Sequence, residues 1–166
     1  PMRTLLFALL VSTLFLSCSK EKDPEYLIKF KANNEWITFT KAGFSFEETG
    51  DPSTRYLTVA GRSADLDKLF IIGVTVPSDP KPGILDSQNG DLEFGYAVNA
   101  GPNNNNETIY YSMYPVMGKP DPHFIVNITS ITETEIRGNF TGNYLADMDE
   151  NFIEIPEGEF VAKIEQ

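Results

Sequence analysis

Residues Glu135–Tyr144 alternate without a break. Ile136, Gly138, Phe140, Gly142 and Tyr144 fall on one side; Glu135, Arg137, Asn139, Thr141 and Asn143 fall on the other. Successive side chains of a strand point to opposite faces, so this period of two predicts a strand with one face on a core and one in water. From Tyr26 onward the same theme recurs. Val, Ile, Thr, Tyr and Phe come in short runs, punctuated by Gly, Pro, Asn and Asp, and no window carries a long stripe at helical spacing.

The predicted strands are Tyr26–Ala32, Glu35–Thr40, a short Phe44–Glu47, Arg55–Arg62, Leu69–Val76, Leu92–Val98, Thr108–Tyr114, Phe124–Ile131, Glu135–Tyr144, Phe152–Ile155 and Glu159–Ile164. Asn33-Asn34 tolerates positive φ and closes the first hairpin. Pro77–Gly83 reads as a loop, because its prolines cannot donate to a ladder. Leu69–Val76 is apolar on both faces and reads as a central strand. About ten short strands with frequent turns fit an all-β fold, an antiparallel β-sandwich, with a lipocalin-like β-barrel as the alternative.

The N-terminal stretch is built differently. Arg3 is its only charge, Leu5–Leu16 is apolar except for Ser12 and Thr13, and Ser17 precedes the single cysteine, Cys18. This layout is that of a secretory signal peptide. As a helix the apolar run reaches roughly 18 Å, short of the ~30 Å a bilayer core demands. Phe15-Leu16-Ser17-Cys18 resembles the box that ends bacterial lipoprotein signals, in which the cysteine is lipidated and becomes the first residue. The Ser-Lys and acidic residues after it, with Glu21 and Asp23, resemble lipoproteins of the Bacteroidota and imply display on the outer face of the outer membrane. Phe30-Lys31-Ala32-Asn33-Asn34-Glu35-Trp36 is similar to the opening of small Bacteroidota lipoproteins, a resemblance that implies no site residues. The expected organisation is a signal peptide over 1–17, a lipidated tether over 18–25 and a single β-domain over 26–166, held to the membrane through the lipid alone.

Charge narrows the partners. The chain carries 13 basic against 24 acidic side chains, a formal −11. No run of Lys and Arg exists along the sequence to neutralise phosphates, which argues against nucleic acid. With one cysteine there is no intrachain disulfide, so packing must stabilise the domain.

Candidate chemistry is sparse. His123 is the only histidine, and neither a catalytic triad nor a common zinc site forms around one His without further Cys. Gly43-Phe44-Ser45-Phe46-Glu47 begins like a nucleophile elbow but ends in Glu. Ser78-Asp79-Pro80-Lys81 matches S-x-x-K in letters, yet Pro80 and Pro82 oppose the helical turn that motif needs. Asp147, Asp149 and Asn151 alternate like the first ligands of a Ca²⁺ loop. Phe152 and Gly158, however, stand where such a loop wants Gly and a bidentate Glu, and an acidic solvated loop is the preferred reading. No cofactor is expected. Tyr110, Tyr114, Asn103 and Asn104 are the candidate ligand-binding residues: rings on one strand face for stacking a glycan, beside asparagines that hydrogen-bond it. The alternative for these rings is packing in the core or along a sheet edge.

The functional expectation is a non-enzymatic surface module that binds a glycan or a surface protein. The alternatives are a surface glycan hydrolase with an unidentified carboxylate pair, and a structural or immunity-type lipoprotein that binds one protein partner through a sheet edge.

Overall fold

The computed structural model describes residues 26–101 and 107–165. Every regular element in them is a strand: β1 (Leu27–Ala32), β2 (Glu35–Phe39), β3 (Lys41–Glu48), β4 (Thr54–Arg62), β5 (Lys68–Pro77), β6 (Gly83–Asp86), β7 (Leu92–Val98), β8 (Thr108–Tyr111), β9 (Phe124–Ile131), β10 (Glu135–Gly142), β11 (Tyr144–Ala146), β12 (Phe152–Glu154) and β13 (Glu157–Ile164). The all-β expectation holds. β5 is central, between β4 and β7. Several boundaries differ from the sequence reading, among them the break of the expected Glu135–Tyr144 strand at Asn143, after which β11 begins. β3 runs for eight residues, because β4 pairs along its whole length. β6 was not expected; it forms by pairing with β9 after the proline loop ends. β8 stops at Tyr111, before the turn at Ser112-Met113.

All thirteen strands share one sheet, in the order β12-β11-β8-β7-β5-β4-β3-β13-β10-β9-β6, with β1 on β13 and β2 on β1. The sheet curls into an open half-barrel. Every pairing is antiparallel except β13 with β3. One long hairpin shapes the curl. Its arms, β10–β11 and β12–β13, both break near Asn143 and Pro156, and the bend is held by Gly142 N–H to Pro156 O (3.2 Å) and Ile155 N–H to Asn143 O (3.0 Å). The near half pairs with β9, β1 and β3, while the far half reaches β8 through Ala146 and Tyr111.

The concave face is filled with rings. Phe30, Phe39, Phe44, Phe70, Phe94, Phe124, Phe140 and Phe160 are fully buried. Phe30 stacks on Phe70 (4.3 Å between centroids), Phe70 on Phe140 (5.5 Å) and Phe94 on Phe124 (4.2 Å). Offset stacked and edge-on rings are favourable beyond their buried area. The predicted inward set of β10 is correct, and its glycines have a packing reason. Gly138 lies opposite Phe160, and Phe140 opposite Gly158, so each ring covers a residue without a side chain.

The first turn gives a direct test. Asn33 and Asn34 have φ of 47° and 72°, the left-handed pair that a two-residue hairpin requires. Asn33 also ties the hairpin to β12: its N–H donates to Glu154 O, and its Oδ1 accepts the Glu154 N–H, both at 3.0 Å. Asn34 makes no such tie. Asn34→Gly should therefore raise stability by about 0.5–1 kcal/mol in thermal unfolding. Asn33→Gly removes the Oδ1 acceptor and should destabilise.

Candidate functional site

An open groove lies on the outward face, where β3, β4 and β13 meet. Period two explains who faces it. Phe44, Leu57, Val59 and Phe160 point into the core, so Lys41, Gly43, Ala60, Arg62 and Lys163 point out. The register sets Lys41 opposite Arg62, Gly43 opposite Ala60, and Lys163 beside Gly43. The groove holds about 850 Å³; its floor is small (Ala42, Gly43, Ala60, Gly61), its walls include Tyr26 and Leu69, and Lys41, Arg62 and Lys163 rim it.

These three cations have no ion-pair partner among the described residues, whose pairs are Lys31–Glu157, Lys81–Asp79, His123–Asp86 and Arg137–Glu135. Two like charges directly opposite on neighbouring strands are destabilising. A chain with so few cations nevertheless sets Lys41 against Arg62. Glu165 reaches into the same place: its N–H donates to Phe44 O at 2.8 Å, and its side chain lies over Gly43, where a Cβ would meet its Cδ at 2.5 Å.

The opposite end of this outward face is acidic. The Tyr56 hydroxyl donates to Glu93 Oε2 at 3.3 Å, and its ring lies over Gly73. Burial first, then the Glu93 charge, push the Tyr56 phenol above its ordinary value, with Glu47 and Asp91 adding to the effect. Apart from Glu165, which lies in the cationic groove, these charges divide by sign along this surface.

The residues singled out from sequence lie elsewhere. Cys18, the signal segment, the tether, Asn103 and Asn104 lie outside the described residues. Tyr110 is half-buried and stacks on Tyr96 (6.4 Å), whereas Tyr114 meets Tyr111 edge-on (5.8 Å, 78°). Trp36 is half-exposed on β2, with Lys29 Nζ 4.5 Å above its ring. Asp147 closes its own loop. Its Oδ1 accepts the N–H groups of Asp149 and Asn151, its Oδ2 accepts the Asn151 amide, and all three bonds are 2.9 Å. The Asn151 side chain above all holds the Asp147 carboxyl below the usual range. Among the described residues no three His, Cys, Asp or Glu side chains gather as a metal site. His123 ties β6 to β9: its Nε2 lies 2.9 Å from Asp86 Oδ1, while the neighbouring Ser87 Oγ accepts the Phe124 N–H at 3.0 Å. The Gln88 N–H first, and His123 second, hold the Asp86 carboxyl low.

Sequence reading missed Lys41, Arg62, Lys163, Tyr26 and Glu165. The available signal was the open end of the β3–β4 hairpin, where both strands finish on an outward-pointing cation.

Tyr96 supplies a pH test of the core packing. It is buried, and desolvation, with Tyr110 adding to it, pushes its phenol up to about 12. The unfolded phenol titrates near 10. The folded value is the raised one, so its stabilising contribution is intact below about pH 10 and is lost as pH rises toward 12. Unfolding free energy should fall by about 2–3 kcal/mol across that window, and Tyr96→Phe should remove the larger part of the slope. Tyr56 and Tyr110 shift in the same direction and account for the remainder.

No family model, curated protein or solved structure matches the chain.

Proposed function

We propose that this chain is a non-catalytic binding module, anchored by a lipidated Cys18 to the outer membrane and displayed on the cell surface, whose ligand seats in the groove between β3, β4 and β13. The observation that carries the reading is the trio Lys41, Arg62 and Lys163, without ion-pair partners among the described residues and held around a small-residue floor. Folds tolerate a like-charge pair at a cost, and an anionic ligand offsets it. The anchor rests on the apolar Leu5–Leu16 run and the Ser17-Cys18 box. Tyr26 lies eight positions after Cys18, and an extended chain spans at most roughly 3.6 Å per residue. The groove that Tyr26 lines would then lie within about 30 Å of the lipid. For the architecture we favour a barrel-like closure over a sandwich, because the two halves of one bent hairpin flank both sides of the β3-β4-β5-β7-β8 run.

A second reading, a protein partner added to a sheet edge, is favoured by β6. Among the described residues this strand pairs only with β9, and Ile84 is 72 % exposed.

Lys41→Glu separates binding from folding. It turns a like-charge pair into an opposite-charge one, so stability should rise by about 0.2–1 kcal/mol while ligand capture from native membranes and on a glycan array falls. Equal capture by wild type and variant would sink the groove. Capture lost instead on Ile84→Lys would favour the β6 edge. The anchor is checked by mass spectrometry of the mature N-terminus, which should find an acylated Cys18 in first position and not residues 2–17.

A further inference from the structure

We infer that the groove takes an acidic polysaccharide whose charge is a sugar carboxylate, a uronic-acid chain in contrast to a phosphate or a neutral glycan. This deepens, and rests on, the binding reading above.

Three features select that class. The rim is cationic: Lys41, Arg62 and Lys163 are exposed and without ion-pair partners among the described residues. The floor, in contrast, carries the carboxylate of Glu165, lying over Gly43 in the space that a side chain there would fill. A carboxylate accepts hydrogen bonds and repels compact anions. A phosphate entering between the three cations would meet Glu165; a sugar ring would offer it hydroxyl donors. A ligand satisfying rim and floor together carries negative charge and hydroxyl groups on one unit, and a uronic acid does. The third feature is apolar surface beside the charges. Tyr26 and Leu69 line the groove and offer faces for the C–H side of a pyranose ring. A volume near 850 Å³ lies within the range of small-molecule sites, and the groove is open to solvent, as passage of a longer chain requires.

The test uses the full chain in a neutral detergent, titrated with four probes: oligogalacturonate, its methyl ester, dextran sulfate, and vesicles containing phosphatidylglycerol. Oligogalacturonate should bind, and its uncharged ester should bind at least 10-fold more weakly. The triple variant Lys41→Gln, Arg62→Gln, Lys163→Gln should weaken oligogalacturonate at least 10-fold, with folding checked by thermal unfolding at or above the wild-type temperature, since the like-charge pair is removed. Glu165→Ala should weaken oligogalacturonate several-fold and strengthen dextran sulfate, a reversal that simple charge attraction does not produce.

Equal binding of both polyanions, each improved by Glu165→Ala, would overturn the carboxylate selectivity. Preference for the vesicles would assign the rim to lipid headgroups and overturn it as well. A neutral glycan captured by wild type and lost in Lys41→Glu, with oligogalacturonate ignored, would overturn this inference and leave the binding module standing. Silence in all four arms, together with capture indifferent to Lys41→Glu, would overturn both.

Discussion

Phe70→Ala should lower unfolding free energy by about 3–5 kcal/mol. Phe70 sits on the central strand β5 and is fully buried. It stacks on Phe30 at 4.3 Å and on Phe140 at 5.5 Å, and meets Phe94 edge-on at 6.0 Å. Alanine leaves a void that rings belonging to three other strands cannot close without breaking their own stacks. A domain of this size has roughly 5–15 kcal/mol in total, so this one change removes a large share. The check is a denaturant titration in which the midpoint falls while the slope stays constant. Phe152→Ala is the comparison. Phe152 lies on the edge strand β12, 39 % exposed beneath Lys119, and its loss should cost well under half as much. Similar costs at the two positions would mean that the stacked rings are not the centre of the fold.

Gly138→Ala should destabilise by about 1–3 kcal/mol, against the usual direction of such a change. Alanine in a strand ordinarily gains about 0.5–1 kcal/mol over glycine through the unfolded chain. At Gly138 a Cβ would come within 2.7 Å of the Asn127 carbonyl oxygen and 2.9 Å of Phe160 Cε1. The oxygen belongs to the backbone of β9, where the register already shifts between Arg137 and Gly138, so it cannot simply swing aside. Overpacking therefore outweighs the entropy gain. Gly90 shows the opposite case: nothing lies within 4 Å of a Cβ there, and Gly90→Ala should be neutral or stabilising. Chemical denaturation of the pair should give opposite signs, and a stabilised Gly138→Ala would remove the ring-over-glycine account of the β10–β13 pairing.

Strand identity was largely legible because one buried face writes period two into the chain. Glu135–Gly142 and Leu92–Val98 announce themselves that way, and the doubly apolar Leu69–Val76 announces a centre. Lys41-Ala42-Gly43 does not, since small residues carry little strand preference; β3 reaches that far because β4 and β13 both pair with it. Gly83–Asp86 becomes a strand only by adding to β9. The groove was illegible for a related reason. Lys41, Arg62 and Lys163 are far apart in the chain, and register alone brings them together. Two candidate sites were local patterns that local structure explains otherwise. Tyr110 and Tyr114 share a face only if the strand continues, but at Ser112 the hydroxyl accepts the Phe94 N–H and the chain turns. The spacing Asp147-Asp149-Asn151 suits a cation, and it equally suits a carboxylate capping its own loop.

The position of β13 has a consequence for timing. This strand alone joins β1, β3 and β10, so as the polypeptide is synthesised three earlier strands wait with open ladders until it emerges. Such non-local closure makes folding slow. For the exported protein proposed above, slowness of that kind would keep the polypeptide threadable through a narrow translocation pore, and the exposed ladders would be what a holding chaperone covers.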